Sequence, residues 1–283
     1  MTETPKSAGM KSHGGLSHGS KSHGSKSHGR KTISTSLKPR ELMTQAPRLH
    51  NIWAAHIITL FPGAFPGVLG ESLTGKALKD GKWQLETTDL RPFGEGKHRN
   101  VDDTPAGGGA GMVLRPDVLG KAIDHTMKSV KGRCPMVYLS PRGQRFDQAM
   151  ARRWAQMDGI VMLCGRFEGV DQRVLDHYDI QEVSLGDFVL TGGEIAAQAM
   201  IDATVRLLPS VLGNAESIED ESHSNGLLEH PQYTRPAEWR GLEIPEVLTS
   251  GNHGKVDEWR RAESEKLTQK RRPDLWDKHR AQD

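Results

Sequence analysis

Four clusters in this sequence set glycines beside charged or aromatic side chains, a combination suited to a main chain that closes around a ligand. The first is His98-Arg99-Asn100-Val101-Asp102-Asp103, followed by Gly107-Gly108-Gly109-Ala110-Gly111. Three successive glycines let the backbone approach a bound molecule with no Cβ in the way, although the same run alone also reads as a flexible surface loop. The second, Leu139-Ser140-Pro141-Arg142-Gly143, closes an apolar run and in isolation reads as a strand-to-helix turn. The third is Cys164-Gly165-Arg166-Phe167-Glu168-Gly169-Val170-Asp171-Gln172-Arg173. It puts two arginines and two acids beside an apolar stretch, so charge stands at the mouth of the core. The plainer reading is a pair of surface salt bridges, each worth little. The fourth is Leu185-Gly186-Asp187-Phe188-Val189-Leu190-Thr191-Gly192-Gly193-Glu194. Apolar residues bracketed by glycines can form a slot for a flat apolar ring, or a β-turn with a helix starting at Glu194.

Such clusters need elements to hold them. Ile57–Leu60, Met136–Ser140, Ile160–Cys164, Glu182–Leu185 and Phe188–Leu190 are short apolar runs punctuated by Gly or Pro. They are too short for helices and predict buried strands. Between them, Pro116–Met127, Phe146–Asp158 and Glu194–Leu208 predict helices. Pro116 suits a first helical position, where its missing N–H costs nothing. Ile195, Ala199, Ala203 and Leu207 recur at four-residue steps until Pro209 stops the helix. Strands alternating with helices predict an α/β fold with a mostly parallel sheet. Ligands bind such sheets at the carboxyl ends of the strands, where the glycine-rich clusters fall. All four clusters are therefore expected to converge on one site.

Composition narrows the classes. The 283 residues, 35% hydrophobic and 26% charged, suit one or two domains with a modest core. No run of 18 apolar residues is present, which argues against a membrane span. The start, MTETPKSAGMKSHGG, lacks the apolar stretch of a signal peptide, and two cysteines, Cys134 and Cys164, cannot build a disulfide framework. A reducing cytoplasm is the expected compartment. Phosphate-loop, dinucleotide, zinc-protease and serine-hydrolase fingerprints are all missing.

Residues 1–50 carry nine Lys/Arg against two Glu, whereas the remainder is net acidic, so any polyanion site in the folded part must be a local patch. Residues 11–30 repeat KSHGG, LSHGS, KSHGS, KSHGR. This composition has almost nothing to bury and predicts a disordered tail over residues 1–52. Its His13, His18, His23 and His28 offer a competing metal-binding or storage role for the chain. Residues 53–212 are then the α/β domain and residues 213–225 a polar, acidic linker. Residues 226–283 form a small, mainly helical carboxyl-terminal domain, with charged helical segments around Val256–Lys270.

The clusters closely resemble the bacterial tRNA (guanine-N1)-methyltransferase family, TrmD. The matching stretches are IITLFPGAF, HRNVDDTPAGGGAGM, VYLSPRGQRFDQ, LCGRFEGVDQRV, SLGDFVLTGGE, RLLPSVLGN, GLLEHPQYTRP and PEVLTSGNHGKVDEWR. They run in family order from about Ile57 to Arg260. The resemblance implies a SPOUT-class α/β domain with a deep trefoil knot and a homodimer with its sites at the subunit interface. It also implies S-adenosylmethionine as methyl donor, and as substrate a tRNA with guanosine at position 37. A divalent ion such as Mg2+ can assist in the family, although no ligand cage for it is visible in this sequence.

Carried onto matching positions, the resemblance implies donor contacts at Tyr138, Leu139, Ser140 and Pro141, at Gly165, at Leu185, Gly186, Asp187, Phe188, Val189 and Leu190, and at the turn Gly192-Gly193. Glu168, Asp102 and Arg166 are implied to line the guanine pocket. Arg206 resembles the family arginine beside the reacting base. Two departures stand out. The family linker commonly reads E-D-S, its aspartate being the proposed general base, whereas this chain has Glu219-Asp220-Glu221-Ser222. Ungapped counting puts Glu221 at that position with Asp220 one before it, so both are candidates. Ala196 also stands where a proline often follows in the family. The changed carboxylate leaves a second reading, a tRNA-binding module with impaired catalysis. Basic residues Lys255, Arg260, Arg261, Lys266, Lys270, Arg271 and Arg272 offer phosphate contacts, or simply a charged helix face interleaved with Asp257, Glu258, Glu263 and Glu265.

Overall fold

The computed structural model describes residues 52–212, 222–223 and 226–281. The His-rich repeat and the linker carboxylates Asp220 and Glu221 lie outside the described residues. The first element is β1 (Trp53–Thr59), whose residues are nearly all buried. Helix α1 (Ser72–Lys79) leads into β2 (Trp83–Asp89). Two-residue strands β3 (Asp102–Asp103) and β4 (Val113–Leu114) pair antiparallel. Then follow α2 (Pro116–Met127), β5 (Met136–Arg145), α3 (Gln148–Ala155), β6 (Gly159–Cys164), α4 (Gln172–His177), β7 (Gln181–Ser184) and α5 (Glu194–Val205).

Five strands form one sheet in the order β2-β1-β6-β5-β7, every pairing parallel. Both faces are covered, as a parallel sheet requires. Alternate residues of each strand feed the two cores: Ile57 and Met162 join Trp83, Trp154 and Ile201 on one face. Ile58 and Leu163 join Leu119, Ile123 and Val174 on the other. Strand β6, buried at every position, is the central strand. Side-chain caps set two helix starts: Asp147 accepts from Met150 N–H at 2.8 Å, and Asp171 accepts from Arg173 N–H at 3.0 Å.

The predicted α/β class with a mainly parallel sheet is observed, and helix Pro116–Met127 has the predicted bounds, with Pro116 in its first turn. Three expectations need correction. The run from Met136 does not end as a strand at Ser140. Val183 of β7 faces both Leu139 and Gln144, so residues 140–143 bulge out and β5 resumes beyond them. This lets Pro141, which has no N–H to give a ladder, sit inside a strand. Phe188–Leu190 is not a strand but irregular chain, with Phe188 and Val189 exposed. Finally, the stripe of four-residue steps on α5 is not its core face. Ile195 is 62% exposed, while Ala197, Met200, Ile201 and Val205 are the buried residues.

Beyond the α/β part come a short hairpin, β8 (Glu238–Trp239) with β9 (Leu242–Glu243), and helices α6 (Glu246–Thr249), α7 (His253–Arg271) and α8 (Pro273–Arg280). The Trp259 ring lies 6.3 Å from that of His230 and 6.1 Å from that of Tyr233. Buried Thr268 accepts from Leu228 N–H at 2.8 Å. On α7 and at its junction with α8 several basic residues have acidic partners: Arg260 with Asp257, Arg261 with Glu265, Lys266 with Glu263 and Arg272 with Asp274. For these four, the charged-face reading has direct support.

Candidate active site

Three segments, the bulge within β5 and the chain that follows β6 and β7, meet and line a cavity of about 380 Å³. The β5 bulge supplies Ser140, Pro141 and Arg142, with Tyr138 and Leu139 just before it. The segment after β6 supplies Gly165 to Val170. The segment between β7 and α5 supplies Leu185, Phe188, Val189, Leu190, Thr191, Gly192 and Gly193, and Ala196 of α5 adds to the lining. Of the predicted donor contacts, only Gly186 and Asp187 are absent from this lining. Gly186 instead anchors a turn: its N–H donates to the Ser184 hydroxyl at 3.2 Å, and that hydroxyl donates to its carbonyl at 2.9 Å.

The loops are tied to one another. Gly193 N–H donates to the Gly165 carbonyl at 3.1 Å, and Arg166 and Gly192 form a β-bridge. The Tyr138 ring lies over Gly165, leaving no room there for a side chain. Burial pushes the Tyr138 phenol above its ordinary range, and complete burial pushes the Cys164 thiol up as well, so neither is a ready nucleophile. Phe167 stands at the tip of its loop with φ 59° and is 55% exposed. A large residue in the left-handed region is costly, and such strain gathers at functional loops.

Glu168 lies on the cavity lining and is exposed. Its backbone is fixed by β4 and the residue before it: Glu168 N–H donates to the Met112 carbonyl at 2.9 Å, and Leu114 N–H to the Gly169 carbonyl at 2.9 Å. Asp102 pairs with Leu114 on the same strand, so it is coupled to the Glu168 loop without lining the cavity itself. The glycine run packs here as well. Gly111, at φ +88°, lies so close to Glu168 that an added Cβ would stand 2.5 Å from Oε1. Arg166 lines the cavity, but its guanidinium is engaged by Glu194, the Thr191 carbonyl and the Phe61 ring. Arg206 caps α5 and is half-buried.

Sequence reasoning missed Val183 and Ser184 as lining residues, and gave no individual role to Arg142 and Gln172, which stand in its second and third clusters. Val183 and Ser184 read only as strand interior, and the turned-out bulge is what brings Arg142 to the cavity. Arg142 pairs with Glu182 at 2.9 Å. Among the described residues, no group of three or more His, Cys, Asp or Glu stands close enough to hold a metal ion, and no helix is long and apolar enough to cross a membrane.

A cavity lined in about equal measure by apolar and polar groups, with a carboxylate and arginines among them, suits a ligand with a flat ring and a charged end. Comparison with known proteins agrees with a nucleoside chemistry. A family model described as tRNA (Guanine-1)-methyltransferase TrmD matches residues 54–278. A tRNA (guanine-N(1)-)-methyltransferase of Ruegeria pomeroyi is 73% identical over 84% of this chain and 98% of its own length. Proteins of the same name from Rhodospirillum rubrum and Brucella ovis are 59% and 55% identical, over 78% and 79% of this chain and 92% and 91% of theirs. On that match and this geometry, the chain belongs to the tRNA (guanine-1)-methyltransferase family, TrmD.

Proposed function

We propose that this chain transfers a methyl group from S-adenosylmethionine to N1 of guanosine 37 of tRNA, in the cytoplasm and as a homodimer. The observation that carries the reading is the convergence of the bulge, the Gly165–Val170 segment and the Leu185–Gly193 segment on one cavity with Glu168 on its lining. The donor supplies a methyl group already activated by a positive sulfur. The adenosine slot is the apolar wall of Leu185, Phe188, Val189 and Leu190, closed by Gly192 and Gly193.

Guanine N1 carries a proton at neutral pH, so its lone pair is free only once a base has taken that proton. The proposed base is Glu221 or Asp220. The neighbouring Ser222 accepts from Glu229 N–H at 2.9 Å. Glu168 accepts from the donor edge of the guanine at its N2 amino group and holds it in register, leaving the N1 proton to the linker carboxylate. Arg206 stabilises negative charge developing on O6. Asp102 acts through strand β4 on the Glu168 loop. N1 lies on the Watson–Crick edge and is reached only in an unpaired or flipped nucleotide, as an anticodon loop offers.

The trefoil knot is supported by the chain path: after edge strand β7, the backbone returns to the end of central β6 through the Gly193–Gly165 bond before α5 begins. The dimer is supported by the exposed apolar residues Phe188 and Val189, on the cavity lining, and Ile195, at the start of α5. Residues 226–283 would hold the anticodon branch. Mg2+ enters no step. The relatives' names do not favour a module without catalysis. Mass spectrometry of tRNA after incubation with donor and chain tests the reading: 1-methylguanosine at position 37 is expected, and a methyl on any other atom overturns it.

A further inference from the structure

We infer that Glu194 is a positioning residue for the transfer, acting through Arg166 on the loop that carries Gly165 and Glu168. The inference rests on the reading of the cavity as the transfer site. Glu194, the first residue of α5, is 3% exposed and absent from the cavity lining. Its Oε1 accepts from the Thr59 hydroxyl at 2.7 Å, and its Oε2 accepts from Arg166 Nη2 at 2.8 Å. Thr59 is fully buried, and its hydroxyl accepts from Phe61 N–H at 2.9 Å. The Arg166 guanidinium covers the Phe61 ring, 4.4 Å from its centroid. Phe61, Thr59, Glu194 and Arg166 therefore form a closed circuit. Arg166 Nη1 extends it to the Thr191 carbonyl at 3.2 Å.

This circuit joins three separate pieces of chain at the carboxyl ends of two inner strands: the exit of β1, the exit of β6 and the segment leading into α5. A buried ion pair is a poor source of stability compared with well-packed apolar residues, because desolvation offsets most of the attraction. Its directional bonds nevertheless fix geometry. Here they hold Arg166 against the slot segment, while the following residues carry Glu168. The donor wall at Tyr138 and Leu139 is held separately, by β5 pairing with β6 and β7. Losing the Glu194 charge should therefore cost alignment of guanine and donor more than donor binding.

The test uses the full chain and three measurements: methyl transfer to tRNA bearing guanosine 37, calorimetric binding of S-adenosylmethionine, and thermal unfolding. For Glu194→Gln, kcat is expected to fall about 100-fold, the effect of a misplacement of about 1 Å, with donor affinity near that of the wild type. Thr59→Val, which removes one bond of the circuit, should show the same split with a loss of about 10-fold. Folded variants with kcat within about 2-fold of the wild type would overturn the inference. So would a loss of stability alone, with the remaining folded enzyme turning over at the wild-type rate, or failure of both variants to fold. A wild-type chain that leaves guanosine 37 unmethylated would instead sink the functional reading, and this inference with it. That result is distinct from an active wild type with unaffected variants.

Discussion

Tyr138 closes over Gly165: a Cβ on Gly165 would stand 2.6 Å from Tyr138 Cε2 and 2.8 Å from its hydroxyl oxygen. Real Cβ contacts do not come so near, so Gly165→Ala must push the ring or the loop aside. Overpacking of this kind costs about 1–3 kcal/mol, and where it distorts the donor wall it lowers affinity about 10-fold to 100-fold. Calorimetry with S-adenosylmethionine checks this, the expectation being weakened donor binding on an otherwise folded chain.

Gly111→Ala makes the opposite separation. At φ +88° an alanine is strained, and its Cβ meets Glu168 rather than the donor wall. Steady-state kinetics should give kcat/KM for tRNA lowered about 10-fold or more, with donor affinity unchanged.

The linker carboxylates can be told apart by removing their basicity one at a time. If proton abstraction limits the rate, the variant lacking the base, Glu221→Gln or Asp220→Asn, loses about 10²–10⁴-fold in single-turnover methylation. The other should remain within about 10-fold of the wild type. Equal, full activity in both would remove these residues from the proposed mechanism.

His56, 3% exposed on β1, gives a pH signature. Burial holds its imidazole below the ordinary 6.5, with Glu86, 3.2 Å away, opposing that shift in part. The unfolded chain thus takes up a proton more readily than the folded one as pH falls through 6.5. This contribution to stability is present above 6.5 and is lost as acidity rises toward the lower folded value. Urea unfolding from pH 8 to pH 5 should show the decline, and His56→Gln should flatten it.

What the sequence made legible follows from local physics. Pro116–Met127 is readable because its proline and apolar spacing act within a single helix. Strand Trp83–Asp89 is not: it lies at the sheet edge, and its Gln84, Glu86 and Thr87 face water, so no apolar run marks it. Phe188–Leu190 misleads because apolar residues can rim a cavity as well as fill a core. The donor wall is legible through its glycine-bracketed motifs. The Thr59–Glu194 bond joins residues 135 apart in the chain, and nothing near either one signals the other.

The doubled pairing of Val183 has a further consequence. Because β5 grips β7 at Leu139 and again at Gln144, the intervening four residues form a cantilever with both feet clamped. Its reach can be lengthened or trimmed without sliding either foot, provided both grips hold. The breadth of the ligand chamber is thus adjustable independently of the scaffold, and single-residue insertions between Ser140 and Gly143 would resize it while leaving the sheet's alignment intact.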